Sequence, residues 1–334
     1  MNKSAILLVG GFGTRLHPLT QLTPKPMLSV AGIPFTEHQI AKARAAGISE
    51  IVLATSYLSE VFEPYFGDGA DFGIHISYAV EEEALGTGGA IRNAAHLLQG
   101  DGPVFVFNGD VLSSHDLNKQ LDLHISTRAD ATLHLTRVDD ARAFGVVEMN
   151  GDRITSFNEK MENPPTNIIN AGCYIFNREV ITHIPDGKVV SVERETFPYL
   201  LKSGQKVMGY LDSTYWLDIG TPQALLKATS DLISGEAHSV AFEELVAGGS
   251  YLRTEESLVS LDAEVDESAV ISGGSLIEAG AQINSDVVIQ GSVVGEGVLI
   301  GQNSSLVASF VARDCEIPAG TIANGQFFGF SPKK

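Results

Sequence analysis

The sequence predicts a mixed, mainly parallel Rossmann-like α/β domain followed by a short C-terminal left-handed parallel β-helix. Three observations carry this reading. Short apolar runs alternate with amphipathic segments through the first third of the chain, the order of parallel strands covered by helices. At 334 residues the chain exceeds what one ordinary core accommodates, so two domains are expected. Beyond Gly235, aliphatic residues recur every six positions, a period that fits neither a helix nor an isolated hairpin.

Ala5–Val9 reads as the first strand, and Phe35–Ala46 as a helix stopped by Gly47, a favoured residue just past a helix end. Ile51–Ala54 and Ile74–Tyr78 read as strands, Gly88–Leu98 as a helix, and Val104–Phe107 as a strand buried on both faces. Parallel sheets bind ligands at the carboxyl ends of their strands. Two loops begin there: Gly10 follows the first strand, and Asn108-Gly109-Asp110 follows the doubly buried one. From Ala131 the strands come closer together, at Ala131–Arg137, Val146–Met149, Ala171–Phe176 and Val207–Tyr210. The helix Pro222–Ser234 opens with a proline, well tolerated in a first turn, and Gly235 closes it.

The six-residue series runs through Val265, Ile271, Ile277, Ile283 and Ile289, slips by one, and resumes at Val294, Ile300 and Leu306. Four positions after each stands a mostly small residue, such as Ala269, Ser275 and Ala281, with Phe310 the exception. This is the pattern of a hexapeptide β-helix whose aliphatic residues point inward, at about 18 residues per coil and about three coils in all. The expected division is 1–235, a linker at 236–262, and the β-helix at 263–334.

Composition narrows the function. Hydrophobic content of 44% with 19% charged residues belongs to a globular chain. The apolar run Ala5–Val9 is too short for a secretory leader, and no stretch approaches the roughly 20 apolar residues of a membrane span, so the cytoplasm is the expected compartment. A net charge of −19 argues against nucleic acid or an anionic membrane as partner. The segment Glu236–Phe330 holds 14 acidic residues against Arg253 and Arg313 alone. Cys173 and Cys315 form no metal-ligand spacing and read as buried small hydrophobes, and the nine histidines show no zinc pattern.

The chemistry concentrates in Gly10-Gly11-Phe12-Gly13-Thr14-Arg15-Leu16 and Pro24-Lys25-Pro26. Backbone N–H groups of such a loop cradle phosphate oxygens where side chains would obstruct. It is no Rossmann fingerprint, because Leu16 takes the place of a third glycine, and no P-loop, because no Gly-Lys-Ser/Thr follows.

These residues, with Leu8-Val9 before them and Met27-Leu28 after, closely resemble the signature of the sugar-phosphate nucleotidyltransferases. The resemblance continues at Glu82-Glu83-Ala84-Leu85-Gly86-Thr87-Gly88-Gly89, Phe107-Asn108-Gly109-Asp110, Phe144-Gly145-Val146-Val147, Phe157-Asn158-Glu159-Lys160, Asn170-Ala171-Gly172 and Trp216-Leu217-Asp218-Ile219-Gly220-Thr221-Pro222. Ile168–Phe176 and Ser191-Val192-Glu193-Arg194-Glu195 look most like the mannose-1-phosphate guanylyltransferases, or GDP-mannose pyrophosphorylases. The glucose-1-phosphate thymidylyltransferases are close relatives.

The resemblance implies in-line attack of a sugar 1-phosphate oxygen on the α-phosphorus of a nucleoside triphosphate, with pyrophosphate leaving. Positioning and charge neutralisation then supply the catalysis. By resemblance, Arg15 spans the triphosphate and Lys25 contacts the phosphates near the α position. Asp110 and Asp218 hold Mg²⁺, which one or two carboxylates typically bind together with substrate phosphates and water. Leu8, Gly10, Gly11, Gly13, Thr14, Leu85, Gly86 and Thr87 serve the nucleotide, and Asp110 touches it as well. Glu159 binds sugar hydroxyls and Lys160 the sugar phosphate, with Gly145, Asn170 and Gly172 lining the same pocket.

At Glu81 the relatives often carry glutamine. A carboxylate accepts hydrogen bonds only, which suits the N1–H and N2–H donors of guanine better than the single N3–H of thymine. Glu82 or Glu83 remains an alternative for that contact. The chain departs from the usual pattern at Met161-Glu162-Asn163 after Lys160, at Val9 and at Ser29.

GTP with mannose 1-phosphate is therefore the expected substrate pair. Glucose-1-phosphate thymidylyl transfer is the alternative within the family, and a non-catalytic regulatory sugar-nucleotide-binding subunit is the alternative of another class. Retention of Arg15, Lys25, Asp110 and Asp218 speaks against the latter. No histidine follows His238, so the β-helix lacks an evident general base for acyl transfer. It is expected to serve assembly or regulation, as in a homo-oligomer.

Overall fold

The computed structural model describes residues 3–11, 13–21, 23–55 and 59–330. Phe12 of the glycine-rich loop and residues 331–334 of the expected β-helix lie outside the described residues. The described chain forms two compact units, one from residues 3–11, 39–111 and 115–216, the other from 13–38, 112–114 and 217–330.

The first unit is organised by a nine-stranded sheet in the order His75–Val80, Ile48–Thr55, Lys3–Leu8, Val104–Asn108, Ile168–Phe176, Ala131–Arg137, Val207–Leu211, Arg153–Glu159, Gly145–Asn150. The first four strands are parallel, with Leu8 paired to both Ala54 and Asn108. Lys3–Leu8 is thus the strand from which the chain winds outward to either side, and the ends of such a strand form a binding crevice. Past Val104–Asn108 the sheet becomes mostly antiparallel. Gly145–Asn150 and Arg153–Glu159 form a hairpin, which needs no crossover helix, whereas Ile168–Phe176 pairs antiparallel with strands distant in sequence.

The runs Ala5–Leu7 and Val104–Val106 are fully buried, and Ile6, Val104 and Val106 share one hydrophobic core with Ile91, Ala94, Tyr174, Phe176 and Phe197. Helix Gly86–Ala95 buries Gly88, Gly89, Ala90, Ile91 and Ala94. Helix Leu117–Thr127, which the apolar pattern did not single out, is capped by the Asp116 carboxylate accepting from the N–H groups of Asn118 and Lys119. Cys173 is buried as expected. Among the described residues no helix is long and apolar enough to cross a membrane.

In the second unit, helix Pro222–Ser234 is capped by the Thr221 hydroxyl, which accepts from Ala224 N–H, and ends at Gly235 with φ 89°. The Arg253 guanidinium donates to the carbonyls of Ile233 and Leu232, satisfying the helix's C-terminal oxygens. Between this helix and the β-helix, where a linker was expected, lie helix Val240–Ala247 and the antiparallel strands Tyr251–Arg253 and Ser257–Ser260. Gly274 takes a left-handed φ of 72°, and a Cβ there would lie 2.3 Å from the Ser230 hydroxyl, so the first coil approaches the helix as only glycine allows.

The β-helix has three parallel sheets, and its inward columns are Ile283-Ile300-Ile317, Ile289-Leu306-Ala323 and Ile277-Val294-Val311. Two of its sheets hold four strands each, so the stack reaches four coils where about three were expected. Partners are 18 residues apart from Val265 to Ile283, but 17 from Ile283 to Ile300 and from Ile300 to Ile317. The one-residue slip is therefore a recurring five-residue step at one corner.

That corner carries a serine ladder. Ser275 Oγ accepts from Ser292 N–H at 3.1 Å, Ser292 Oγ from Ser309 N–H at 3.0 Å, and Ser309 Oγ from Gln326 N–H at 3.1 Å. Two inward expectations need correction. Val265, in the first coil, is 37% exposed because no earlier coil covers it, and Cys315 is only partly buried.

Candidate active site

In the second unit the loop folds back on itself. Gly13 adopts φ 59° and leads into a 3-10 turn, Thr14–Leu16, closed by Leu16 N–H donating to the Gly13 carbonyl at 2.9 Å. A Cβ on Gly13 would lie 2.8 Å from Lys25 Cβ, so glycine here lets the Lys25 side chain come close. Pro24 is extended and starts the turn Lys25–Met27, and Thr36 Oγ1 ties that turn down through the Pro26 carbonyl at 2.8 Å. Thr14 and Arg15 are exposed. The Arg15 guanidinium lies against Gly220, where a Cβ would meet its Nη2 at 2.9 Å and Cζ at 3.0 Å. Gly220 stands two residues after Asp218, so the loop's arginine and the Asp218 turn are neighbours.

In the first unit, Gly10 and Gly11 are exposed beyond the Leu8 strand end. Gly109 N–H donates to the Leu8 carbonyl at 2.9 Å, and a Cβ on Gly109 would lie 2.2 Å from that oxygen. The turn leading to Asp110 is thus fastened to the strand end that starts the glycine-rich loop. Gly172, at φ 77°, sits against Asn108 and Val111. Asn170 donates to the Tyr174 hydroxyl and accepts from Gly172 N–H, holding the irregularity that the strand shows between Asn170 and Tyr174.

Gly145 and Glu159 are cross-strand partners. Lys160 has a left-handed φ of 54°, and its Nζ lies 3.9 Å from Glu159 Oε1. Burial raises the Glu159 carboxyl above its ordinary value, and the neighbouring Glu193 raises it further, against the lowering effect of Lys160 and Arg194.

Among the three candidate acids of the base turn, Glu81 is 9% exposed while Glu82 and Glu83 are exposed. Glu81 Oε2 accepts from Leu85 N–H at 3.1 Å, and burial raises its pKa. The glycines that follow answer to packing. A Cβ on Gly86 would lie 2.7 Å from the Val190 carbonyl, and one on Gly89 2.4 Å from the Lys188 carbonyl. Gly88 N–H donates to Val190 O at 2.8 Å, and Val190 N–H to Leu85 O at 2.9 Å. Thr87 Oγ1 donates to Glu193 Oε2 at 2.8 Å and accepts from Val192 N–H at 2.9 Å.

Glu193 and Arg194 line a cavity of about 530 Å³ with Glu159 and Lys160. Sequence reading gave neither a role, although Ser191–Glu195 stood out as a motif. Only the fold brings that segment beside Thr87 and Glu159. Gln39, which lies in no motif, and Gly220, which lies in the Trp216–Pro222 motif, likewise had no expected role.

The nucleotidyl transferase family pattern matches residues 4–235, and a GlmU-like C-terminal hexapeptide pattern matches residues 241–325. The chain is 50% identical over 273 residues to a mannose-1-phosphate guanylyltransferase of Mycobacterium tuberculosis, covering 81% of this chain and 74% of that one. It is 36% identical over 256 residues to a mannose-1-phosphate guanyltransferase of Debaryomyces hansenii, covering 74% and 70%. Among solved structures, a putative glucose-1-phosphate thymidylyltransferase from Bacillus anthracis superposes with a TM-score of 0.63 at 26% identity, over 68% of this chain and 93% of that one. A glycine-rich loop after the Lys3–Leu8 strand, a family match across residues 4–235 and a hexapeptide match following it in the sequence agree: the chain belongs to the nucleotidyl transferase family.

Proposed function

We propose that this protein transfers the guanylyl group of GTP to mannose 1-phosphate, releasing pyrophosphate and forming GDP-mannose. The observation that carries the reading is the Arg15 guanidinium resting on Gly220, two residues after Asp218, which supports a phosphate-binding role for Arg15 next to a metal-binding Asp218 turn. Half the aligned residues are shared with the mycobacterial enzyme of that name, which supports the choice of substrates.

The sugar phosphate oxygen attacks the α-phosphorus, the bond to the β-phosphate oxygen breaks, and pyrophosphate carries the electron pair away. No protein nucleophile takes part. Arg15 and Lys25 are the catalytic cations, stabilising charge on the leaving pyrophosphate and the α-phosphate respectively. Leu8, Gly10, Gly11, Gly13 and Thr14 bind the nucleotide through the loop, and Leu85, Gly86 and Thr87 through the base turn. Glu81, already fixed by Leu85 N–H, accepts from guanine. Gly145, Glu159, Lys160, Asn170 and Gly172 bind the sugar phosphate.

Asp110 and Asp218 are the carboxylates for Mg²⁺. The donor chemistry fits: both are hard oxygen ligands, and among the described residues no group of three or more His, Cys, Asp or Glu side chains forms a richer metal cage. Bound Mg²⁺ supplies charge neutralisation at the phosphates.

We place the reaction in the cytoplasm. The catalytic part spans 1–235, residues 236–262 connect it to the stack, and the β-helix 263–334 serves homo-oligomer assembly or regulation. The test follows pyrophosphate release with a panel of triphosphates and sugar 1-phosphates in the presence of Mg²⁺. GTP with mannose 1-phosphate is expected to react fastest. A preference for dTTP with glucose 1-phosphate overturns the substrate choice, and no release with any pair overturns the enzyme reading.

A further inference from the structure

The segment after Val190 forms a five-residue π-helix, Val192–Thr196, a geometry rare enough to mark functional positions. It is pinned at its start, since Ser191 Oγ accepts from Arg194 N–H at 3.1 Å and Glu195 Oε1 accepts from Ser191 N–H at 2.9 Å. Glu193 is pinned as well. Its Oε2 accepts from Thr87 Oγ1 at 2.8 Å and from Ser191 Oγ at 3.0 Å. Both donors reach the same oxygen, which leaves Oε1 as the remaining acceptor of a half-buried side chain that lines the Glu159 cavity.

We infer that Glu193 is a second sugar-hydroxyl-binding carboxylate, acting with Glu159 as a pair that sets which hexose the pocket accepts; the inference rests on the sugar-phosphate reading above. Two carboxylates bordering one partly buried cavity repel each other. The nearest compensation for Glu159 is Lys160 Nζ at 3.9 Å, longer than a hydrogen bond. A ligand rich in hydroxyl donors relieves this, because carboxylate oxygens accept only and a hexose offers several O–H groups. Lys160 and Arg194, in the same lining, supply positive charge for the ligand's phosphate. The cavity, about 530 Å³, lies within the range of small-molecule sites, roughly 300–1,000 Å³.

The same carboxylate is a strut. Through Thr87 and Val192 it joins the base turn to the sugar pocket, so loss of the residue would disturb nucleotide binding too. Glu193→Gln separates the two roles. Its amide oxygen can still accept from Thr87 and Ser191, while the second acceptor becomes an N–H₂ donor and the charge is lost.

Binding of mannose 1-phosphate and glucose 1-phosphate to the full chain is measured by titration calorimetry, and KM for each sugar and for GTP from pyrophosphate release. For Glu193→Gln, mannose 1-phosphate affinity is expected to fall roughly tenfold to hundredfold. The ratio between the two epimers should narrow, and the GTP KM should stay within about twofold. Unchanged sugar affinity and epimer ratio in a folded Glu193→Gln protein overturn the inference, as does an equal loss for sugar and GTP. Glu193→Asp, which draws the charge back by one methylene, is the second variant should the first not fold; wild-type epimer discrimination in it also overturns the inference. Sugar binding without turnover by the unsubstituted chain refutes the transfer reaction and leaves the pocket assignment standing, whereas no binding of either sugar refutes the pocket.

Discussion

Gln39 donates from Nε2 to the Asn108 carbonyl at 2.9 Å, and the same amide reaches the Val111 carbonyl, also at 2.9 Å. The two carbonyls bracket Gly109-Asp110, so one side chain, 7% exposed, clamps the turn that presents Asp110. Gln39→Leu is expected to leave both carbonyls without this donor, costing about 1–3 kcal/mol of stability. Turnover should fall at least about tenfold as Asp110 loses its fixed position. Thermal unfolding and pyrophosphate release check the two effects. Wild-type turnover in a destabilised variant would make Gln39 a packing residue only.

Removing either proposed metal ligand should act on chemistry and not on folding. Asp110→Asn and Asp218→Asn are each expected to lower turnover roughly 10²-fold or more, with melting temperatures near that of the parent. Chelation should abolish activity, and added Mg²⁺ should restore it. Near-normal activity in both variants would remove the metal assignment.

Base choice should follow Glu81. Glu81→Gln replaces one acceptor by a donor while its amide oxygen can still accept from Leu85 N–H, so the turn survives and the guanine match does not. The ratio of kcat/KM for GTP over dTTP is expected to drop roughly tenfold or more. An unchanged ratio would assign guanine recognition elsewhere.

Buried histidines predict acid lability. Burial holds His134 at about 3 and His38 at about 4, both below the ordinary 6.5. The unfolded chain therefore binds more protons between 6.5 and those values, and stability rises with pH across that window. Their stabilising contribution is fully present above 6.5 and is lost progressively below it, the loss being complete once pH has fallen through about 4 for His38 and about 3 for His134. Melting temperatures measured from pH 7 downward should decline, and a nonpolar replacement such as His134→Phe should flatten part of the decline. An identical slope in that variant would exclude His134 as a source.

The β-helix depends on its serine ladder. Ser292→Ala removes the acceptor for the buried Ser309 N–H and is expected to cost about 1–3 kcal/mol. Denaturant unfolding should register the loss while KM and kcat stay at parental values. A variant as stable as the parent would show that water replaces the hydroxyl.

Much of this molecule was legible in its sequence because the signals are local. The six-residue series announced the β-helix, since each inward aliphatic belongs to one rung and needs no distant partner to be recognised. The loop at Gly10–Lys25 was legible for the same reason, as glycines at fixed steps after a strand end. Cross-chain relationships were not. The five-residue corner step recurs from coil to coil, but one slip alone did not reveal a four-coil stack. The packing that Gly86, Gly88 and Gly89 make possible against Val190 and Lys188 has no mark in the motif that contains them. Glu193, about a hundred residues from Thr87, carries no local mark of its bond, recorded at a separation of 106. Gln39 in its helix shows nothing of the carbonyls it holds. By itself the sequence determined the fold class, the repeat and the family, because periodicity and motif order lie along the chain. Tertiary structure alone decided which side chains brace the site, because hydrogen bonds and close approaches connect residues that only folding brings together.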